Sequence, residues 1–138
     1  MAPGVTSTGG VLEAMVLPAL KLGGYSYKTQ CLVGIRPGGR KHKLDVLAER
    51  AGERIMISMK WQQTSGTAEQ KVPFEVMCLA DAVRGGEAAR AYLVLGGDGW
   101  TLRDYFTSGA LKDHLVHSSH VQVVTLEAFV RLANGGKL

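Results

Sequence analysis

The chain has 138 residues, 46% of them apolar and 20% charged, with a formal charge of +4 and a pI near 9.2. Those values fit one globular domain over residues 1–138 with a core of its own. They exclude a disordered chain and one built from membrane-spanning helices. The positive balance favours, mildly, a polyanionic partner.

The start, MAPGVTSTGG, lacks the basic stretch and long apolar centre of a secretory signal, so a cytoplasmic location without membrane association is expected. Cys31 and Cys78 are far apart and without metal-type spacing. Reduced, largely buried thiols are expected rather than a disulfide framework.

Residues 1–9 are small and Gly-rich and are expected to be flexible. Across residues 11–22, Val11, Leu12, Met15, Val16, Ala19 and Leu20 recur at helical spacing. Glu13 lies off that stripe, Pro18 kinks or breaks the pattern, and Gly23-Gly24 ends it. Residues 25–35 alternate as a strand and residues 36–40, RPGGR, form a turn. Residues 41–49 and 54–61 are two further strands joined at Ala51-Gly52, which makes an antiparallel meander. Thr67, with Gln70 three residues on, reads as the capped start of a helix over residues 68–83, its early turns disturbed by Pro73. Residues 91–95 form a wholly apolar, buried strand closed by Gly96-Gly97-Asp98-Gly99, with Trp100 packing back on the sheet. A helix over 101–116, a strand over 121–124 and a helix over 126–133 complete the chain. The element order is αβββαβ followed by αβα.

The chemistry concentrates between Lys41 and Glu75. Asp45 sits in a strand between Leu44 and Val46, with one face buried and Asp45 on the other. A carboxylate there needs a cation, a hydrogen-bond network or a metal. The meander brings Lys60, at the end of the next strand, close to it. Phosphodiester hydrolysis calls for such parts: carboxylate oxygens to hold Mg²⁺ and a lysine to position water and offset charge on the phosphorane. Gln62 shares Lys60's face by the period of two and is a candidate for orienting water or touching a phosphate. Ser65, Gly66 and Thr67 offer N–H groups to a DNA phosphate at a helix start, and Lys71 on that helix is a candidate for reaching the phosphate backbone. Arg36, Arg40, Lys41, His42 and Lys43 cluster at the first hairpin, a sensible grip on a duplex backbone. His114, His117 and His120 lack a zinc pattern, and the glycines of residues 96–99 lack the ending of a P-loop.

These residues carry a resemblance. The order αβββαβ, with Asp45 in HKLDVLAE and Ser58-Met59-Lys60 at the half-motif (D/E)-X-K, resembles the PD-(D/E)XK nuclease superfamily of restriction enzymes, phage endonucleases and Holliday-junction resolvases. The start Gly10-Val-Leu-Glu13 with Leu22-Gly-Gly-Tyr25 is similar to the helix that supplies an extra acid in resolvase-like members. The run KWQQTSGTAEQKVP over residues 60–73 is similar to restriction-type members with a glutamine past the lysine. The resemblance covers roughly residues 10–100 and implies a restriction-endonuclease-like α/β fold, a central mixed sheet flanked by helices. It further implies a metal-dependent DNA endonuclease using Mg²⁺ or Mn²⁺, acting on duplex or branched DNA as a homodimer, with a phage, mobile-element or restriction setting. Asp45, Ser58, Lys60, Gln62 and Glu75 would make up the catalytic set, and Asp45, Glu75 or Glu13, and a carbonyl at Met59 would hold the metal.

Ser58 departs from the pattern, since a hydroxyl is a weak ligand where an acid is expected. Three explanations stand. The acid is recovered from the following helix, with Glu75 first choice and Glu69 second. Ser58 replaces an original acid. Or the domain is a catalytically inactive nucleic-acid-binding module of the same fold.

Overall fold

The computed structural model describes residues 8–138, and of Thr8, Leu12 and Glu13 the backbone alone. The expectation of a flexible start falls, for residues 1–7, outside the described residues; the first helix begins at Thr8. A short helix α1 (Thr8–Val11), a π-helical turn (Leu12–Val16) and α2 (Leu17–Leu22) lead into the sheet. Pro18 stands at the start of α2, directly after the π-helical turn. The irregularity falls in the widened turn before it.

Five strands follow the meander reading: β1 (Ser26–Ile35), β2 (Lys41–Arg50), β3 (Glu53–Trp61), β4 (Arg90–Gly96) and β5 (Val121–Thr125). They lie in sequence order, the first three antiparallel and β3, β4 and β5 parallel. The parallel steps require crossovers. The first is α3 (Ala68–Arg84); the second carries α4 (Arg103–Thr107) and a 3₁₀ turn (Ala110–Asp113). The single helix expected over residues 101–116 is therefore not formed. Gly109 takes a left-handed conformation (φ 87°), which breaks the helical path after Thr107. Helix α5 (Leu126–Asn134) closes the chain's described course, its Ala128 N–H accepted by the Thr125 hydroxyl.

The mixed sheet carries a core on each face. Val16, Leu20, Val46, Ile57, Val94 and Phe129 pack under the N-terminal helices and α5. Leu44, Met56, Val76, Leu79, Leu93 and Phe106 pack under α3 and α4. A fully buried side chain such as Phe129 contributes about 1.5–3 kcal/mol through its removal from water. The loop after β4 lies backbone to backbone on the exit of β3: a Cβ on Gly97 would stand 2.3 Å from the Gln62 carbonyl oxygen. Trp100 packs back toward the sheet and donates its Nε1–H to the Gly96 carbonyl at 2.8 Å. Both cysteines are free thiols. No helix among the described residues is long and apolar enough to cross a membrane.

Candidate active site

The site forms where β2 and β3 part. Their ladder pairs Val46 with Ile57 at its end, and beyond that point the Asp45 carboxylate takes the place of a strand partner. The Met59 N–H donates to Asp45 Oδ2 at 2.8 Å. The alternation of β2 also slips here. Val46 and Ala48 pack with the α5-side core, whereas Leu44, two residues before Val46, packs with the α3-side core. That slip turns Leu44, and with it His42, to the α3 side, where strict alternation from Val46 would not place them. His42 consequently lies beside α3 rather than among the hairpin cations; it is 1% exposed and unable to reach a DNA backbone.

Helix α3 supplies the second acid. Val72, Val76 and Leu79 form its buried stripe, and Glu75 stands beside them, itself buried. The Ser58 hydroxyl, on the face of β3 turned to the helix, donates to Glu75 Oε2 at 2.7 Å. His42 Nε2 lies 3.8 Å from the same oxygen, too long for a hydrogen bond but close for an electrostatic contact, and has no hydrogen-bond partner among the described residues. Each carboxylate thus spends one oxygen on the protein. The described bonds leave Asp45 Oδ1 and Glu75 Oε1 for other uses.

The two acids are tuned in opposite directions. Burial pushes the Asp45 carboxyl up and the Glu75 charge adds to that, against the Met59 N–H, Lys60 and His42, which favour its ionised form. Burial also pushes Glu75 up, but the His42 imidazole, the Ser58 hydroxyl and the Lys60 charge outweigh it and hold the carboxyl down at about 2. The Lys60 charge favours the ionised form of both carboxylates.

A stability consequence follows from the signs. Glu75 is lowered from 4.5, so its contribution to stability is complete above about pH 4.5 and is lost as pH falls through about 2. Asp45 is raised from 3.8, so its ionisation costs stability as pH rises through the folded value. At pH 7, Glu75→Gln is expected to lower the urea midpoint and Asp45→Asn to raise it. The Glu75→Gln deficit should shrink between pH 4.5 and 2. Midpoints shifting in the same direction for both variants at pH 7 would contradict this assignment.

Other candidates are placed differently. Gln62 is buried with its amide engaged at both ends: its Oε1 accepts the Ala68 N–H at 3.0 Å and its Nε2 donates to the Gly99 carbonyl at 2.9 Å. It caps α3, a part expected of Thr67, which has helical backbone angles and makes no side-chain cap. Glu69 accepts from the Thr101 N–H, the Thr101 hydroxyl and the Leu102 N–H at 2.8, 2.7 and 2.5 Å, and these bonds, the hydroxyl's first, hold its carboxyl low. Its oxygens are committed to the loop before α4, which leaves Glu75 as the helix acid near Ser58. Glu13 lies in the π-helical turn, its side chain outside what the structure describes. Ser65, Thr67 and Lys71 are exposed around the start of α3. Arg40, Lys41 and Lys43 are exposed on the hairpin, while Arg36 is half-buried over the Phe74 ring at 5.2 Å from its centre, fastening the hairpin to α3 next to Glu75. His114, His117 and His120 are exposed and separate from these acids.

The donor chemistry of the two carboxylates is of the kind a hard divalent cation takes. Among the described residues no group of three or more His, Cys, Asp or Glu side chains is arranged to hold a metal. Two carboxylates, each with an uncommitted oxygen, match the smaller protein set that Mg²⁺ takes while keeping several waters.

A model of the PD-(D/E)XK nuclease superfamily domain matches residues 5–137. The chain belongs to that superfamily. The superfamily is one of nucleases, and its restriction-endonuclease-like α/β architecture is the one described above. No curated protein sequence matches the chain. Among solved structures, a protein of unknown function is similar at 19% identity and a TM-score of 0.51, covering 80% of this chain; the chain spans only 54% of that neighbour. An fdxN element excision controlling factor protein from Anabaena variabilis is similar at 27% identity and a TM-score of 0.53, covering 86% of this chain and 93% of its own. The small subunit of the heterodimeric restriction endonuclease R.BspD6I is similar at 17% identity and a TM-score of 0.45, covering 98% of this chain and 76% of its own. Divalent metals are general to PD-(D/E)XK nucleases. His42, as a neighbour of Glu75, had no signal in the sequence, because it depends on the slip in β2.

Proposed function

We propose that this PD-(D/E)XK protein is a divalent-metal-dependent endodeoxyribonuclease whose missing strand acid is supplied by Glu75. The observation that carries the reading is the 2.7 Å bond from Ser58 to Glu75 Oε2, which sets a helix carboxylate beside the position of the absent acid. Asp45 Oδ1 and Glu75 Oε1, with a carbonyl near Met59, would hold Mg²⁺ or Mn²⁺. The ion would supply Lewis-acid stabilisation of a phosphate oxygen and a more acidic water. Lys60 orients the attacking water and offsets charge growing on the phosphorane. Arg40, Lys41, Lys43 and Lys71, with Ser65 and Thr67, track the DNA backbone, and Arg36 fixes the hairpin that presents them. Cutting both strands of a duplex calls for two such sites, hence a homodimer. The likeness to an excision controlling factor supports a setting in DNA rearrangement or mobile elements.

The test is nicking of supercoiled plasmid and of branched DNA in Mn²⁺ or Mg²⁺. The wild type is expected to cut, chelation to stop it, and Asp45→Asn to lower the rate by about a hundredfold or more, as loss of a preorganised charge does. DNA that is bound but uncut in either metal would leave the domain as a non-catalytic binding module.

A further inference from the structure

Glu75 comes from a helix, on a longer side chain than an aspartate, and needs a fixed direction to stand in for a strand acid. Ser58 supplies one contact. A second group at that carboxylate is His42, 1% exposed on β2, with Nε2 lying 3.8 Å from Oε2 and without a hydrogen-bond partner among the described residues. A buried imidazole nitrogen without a hydrogen bond is costly and rare. Both groups meet the same oxygen, Oε2, and neither occupies Oε1.

We propose that His42 is a positioning residue for the metal site: its Nε2–H and the Ser58 hydroxyl clamp Glu75 Oε2, so that Oε1 faces the cation shared with Asp45. The inference rests on the metal-site reading above and adds to it the residue that makes a helix glutamate serve. Closing the 3.8 Å contact to hydrogen-bond length takes a shift of about 1 Å. With Oε2 held by the Ser58 hydroxyl on one side and facing His42 on the other, the carboxylate has its Oε1 left for a cation. The arrangement also explains why a histidine is buried in a stretch otherwise rich in exposed cations. Lys41 and Lys43, its neighbours on the strand, both point to solvent.

Glutamine and asparagine separate this role from one of simple packing. The amide nitrogen of Gln reaches about as far as Nε2, and that of Asn stops near Nδ1. Mn²⁺ binding by calorimetry is expected to weaken about tenfold in His42→Asn, the lower end for loss of a group that orients a ligand, and to stay within about threefold of wild type in His42→Gln. Equal affinities in both variants, whether both wild-type or both weakened, would overturn the proposal. A measurement on the unaltered protein guards against variants that fail to fold: long-range ¹H–¹⁵N correlation of the imidazole is expected to find a hydrogen on Nε2, and a bare Nε2 would sink the clamp. Glu75→Gln serves as the control. If it loses Mn²⁺ binding while His42→Asn does not, the site stands and the clamp falls; if the wild type binds no Mn²⁺, both fall together.

Discussion

Ser58→Glu is expected to weaken metal binding and cleavage, although it recreates the acid that the superfamily motif calls for. Ser58 is 5% exposed and its oxygen already lies 2.7 Å from Glu75 Oε2. A glutamate there forces extra atoms into a filled space and sets two carboxylates against each other. Overpacking of this kind costs about 1–3 kcal/mol. Like charges at that distance cannot both ionise cheaply, so one of the pair takes up a proton and leaves the ligand set. The expected result is a loss of about tenfold or more in Mn²⁺ affinity, with a matching loss in the nicking rate. Ser58→Glu combined with Glu75→Ala removes the clash and returns the acid to the strand; that double variant should regain most of the affinity. The non-additivity is the signature, because each change alone is harmful and the pair is not. Had Ser58 simply replaced a lost acid, with Glu75 a bystander, Ser58→Glu alone would raise both affinity and rate. That outcome, in calorimetry with Mn²⁺ and a plasmid-nicking assay, would overturn the compensation by Glu75.

The strand–strand–helix unit behind this test was legible because its signals are local. The apolar runs of β2 and β3, the Ala51-Gly52 turn and the helical stripe of Val72, Val76 and Leu79 each follow from neighbouring residues. The readings that changed depend on distant partners or on a single backbone angle. Thr67 has the chemistry of a cap, but Gln62 reaches Ala68 first because the Gly97–Gly99 loop presses Gln62 into place. Glu69 looks like a spare ligand until Thr101 and Leu102, more than thirty residues on, take its oxygens. Gly109 ends a helix that composition alone would continue. His42 carries the charge pattern of a DNA grip, and only the slip near Asp45 turns it inward. The expected nearness of Asp45 and Lys60 rested on the adjacency of β2 and β3, which the sheet order has. The surroundings of Glu75 rested on tertiary packing, for which a single sequence offers no period to read.

Lys60→Ala is expected to separate the two properties that Ser58→Glu would damage together. The ammonium favours the ionised form of both Asp45 and Glu75 and, for the same reason, competes with a metal ion for their charge. Removing it withdraws a cation from the neighbourhood of the incoming ion, which should leave Mn²⁺ affinity unchanged or somewhat tighter. It also lets the Asp45 carboxyl rise further, a smaller opposing effect at pH 7 because the bound ion itself favours the carboxylate. Turnover moves the other way. With the metal saturating, Lys60→Ala would lose the group proposed to orient water and meet the charge of the phosphorane, an expected loss of about 10²–10³ in rate for a preorganised donor. Calorimetry with Mn²⁺ and single-turnover nicking at saturating metal read the two effects independently. A variant that cuts at the wild-type rate under those conditions would reduce Lys60 to a structural cation. A variant that loses metal binding and cleavage in equal measure would place Lys60 among the groups that shape the metal site, and would remove it from the chemistry at the phosphate.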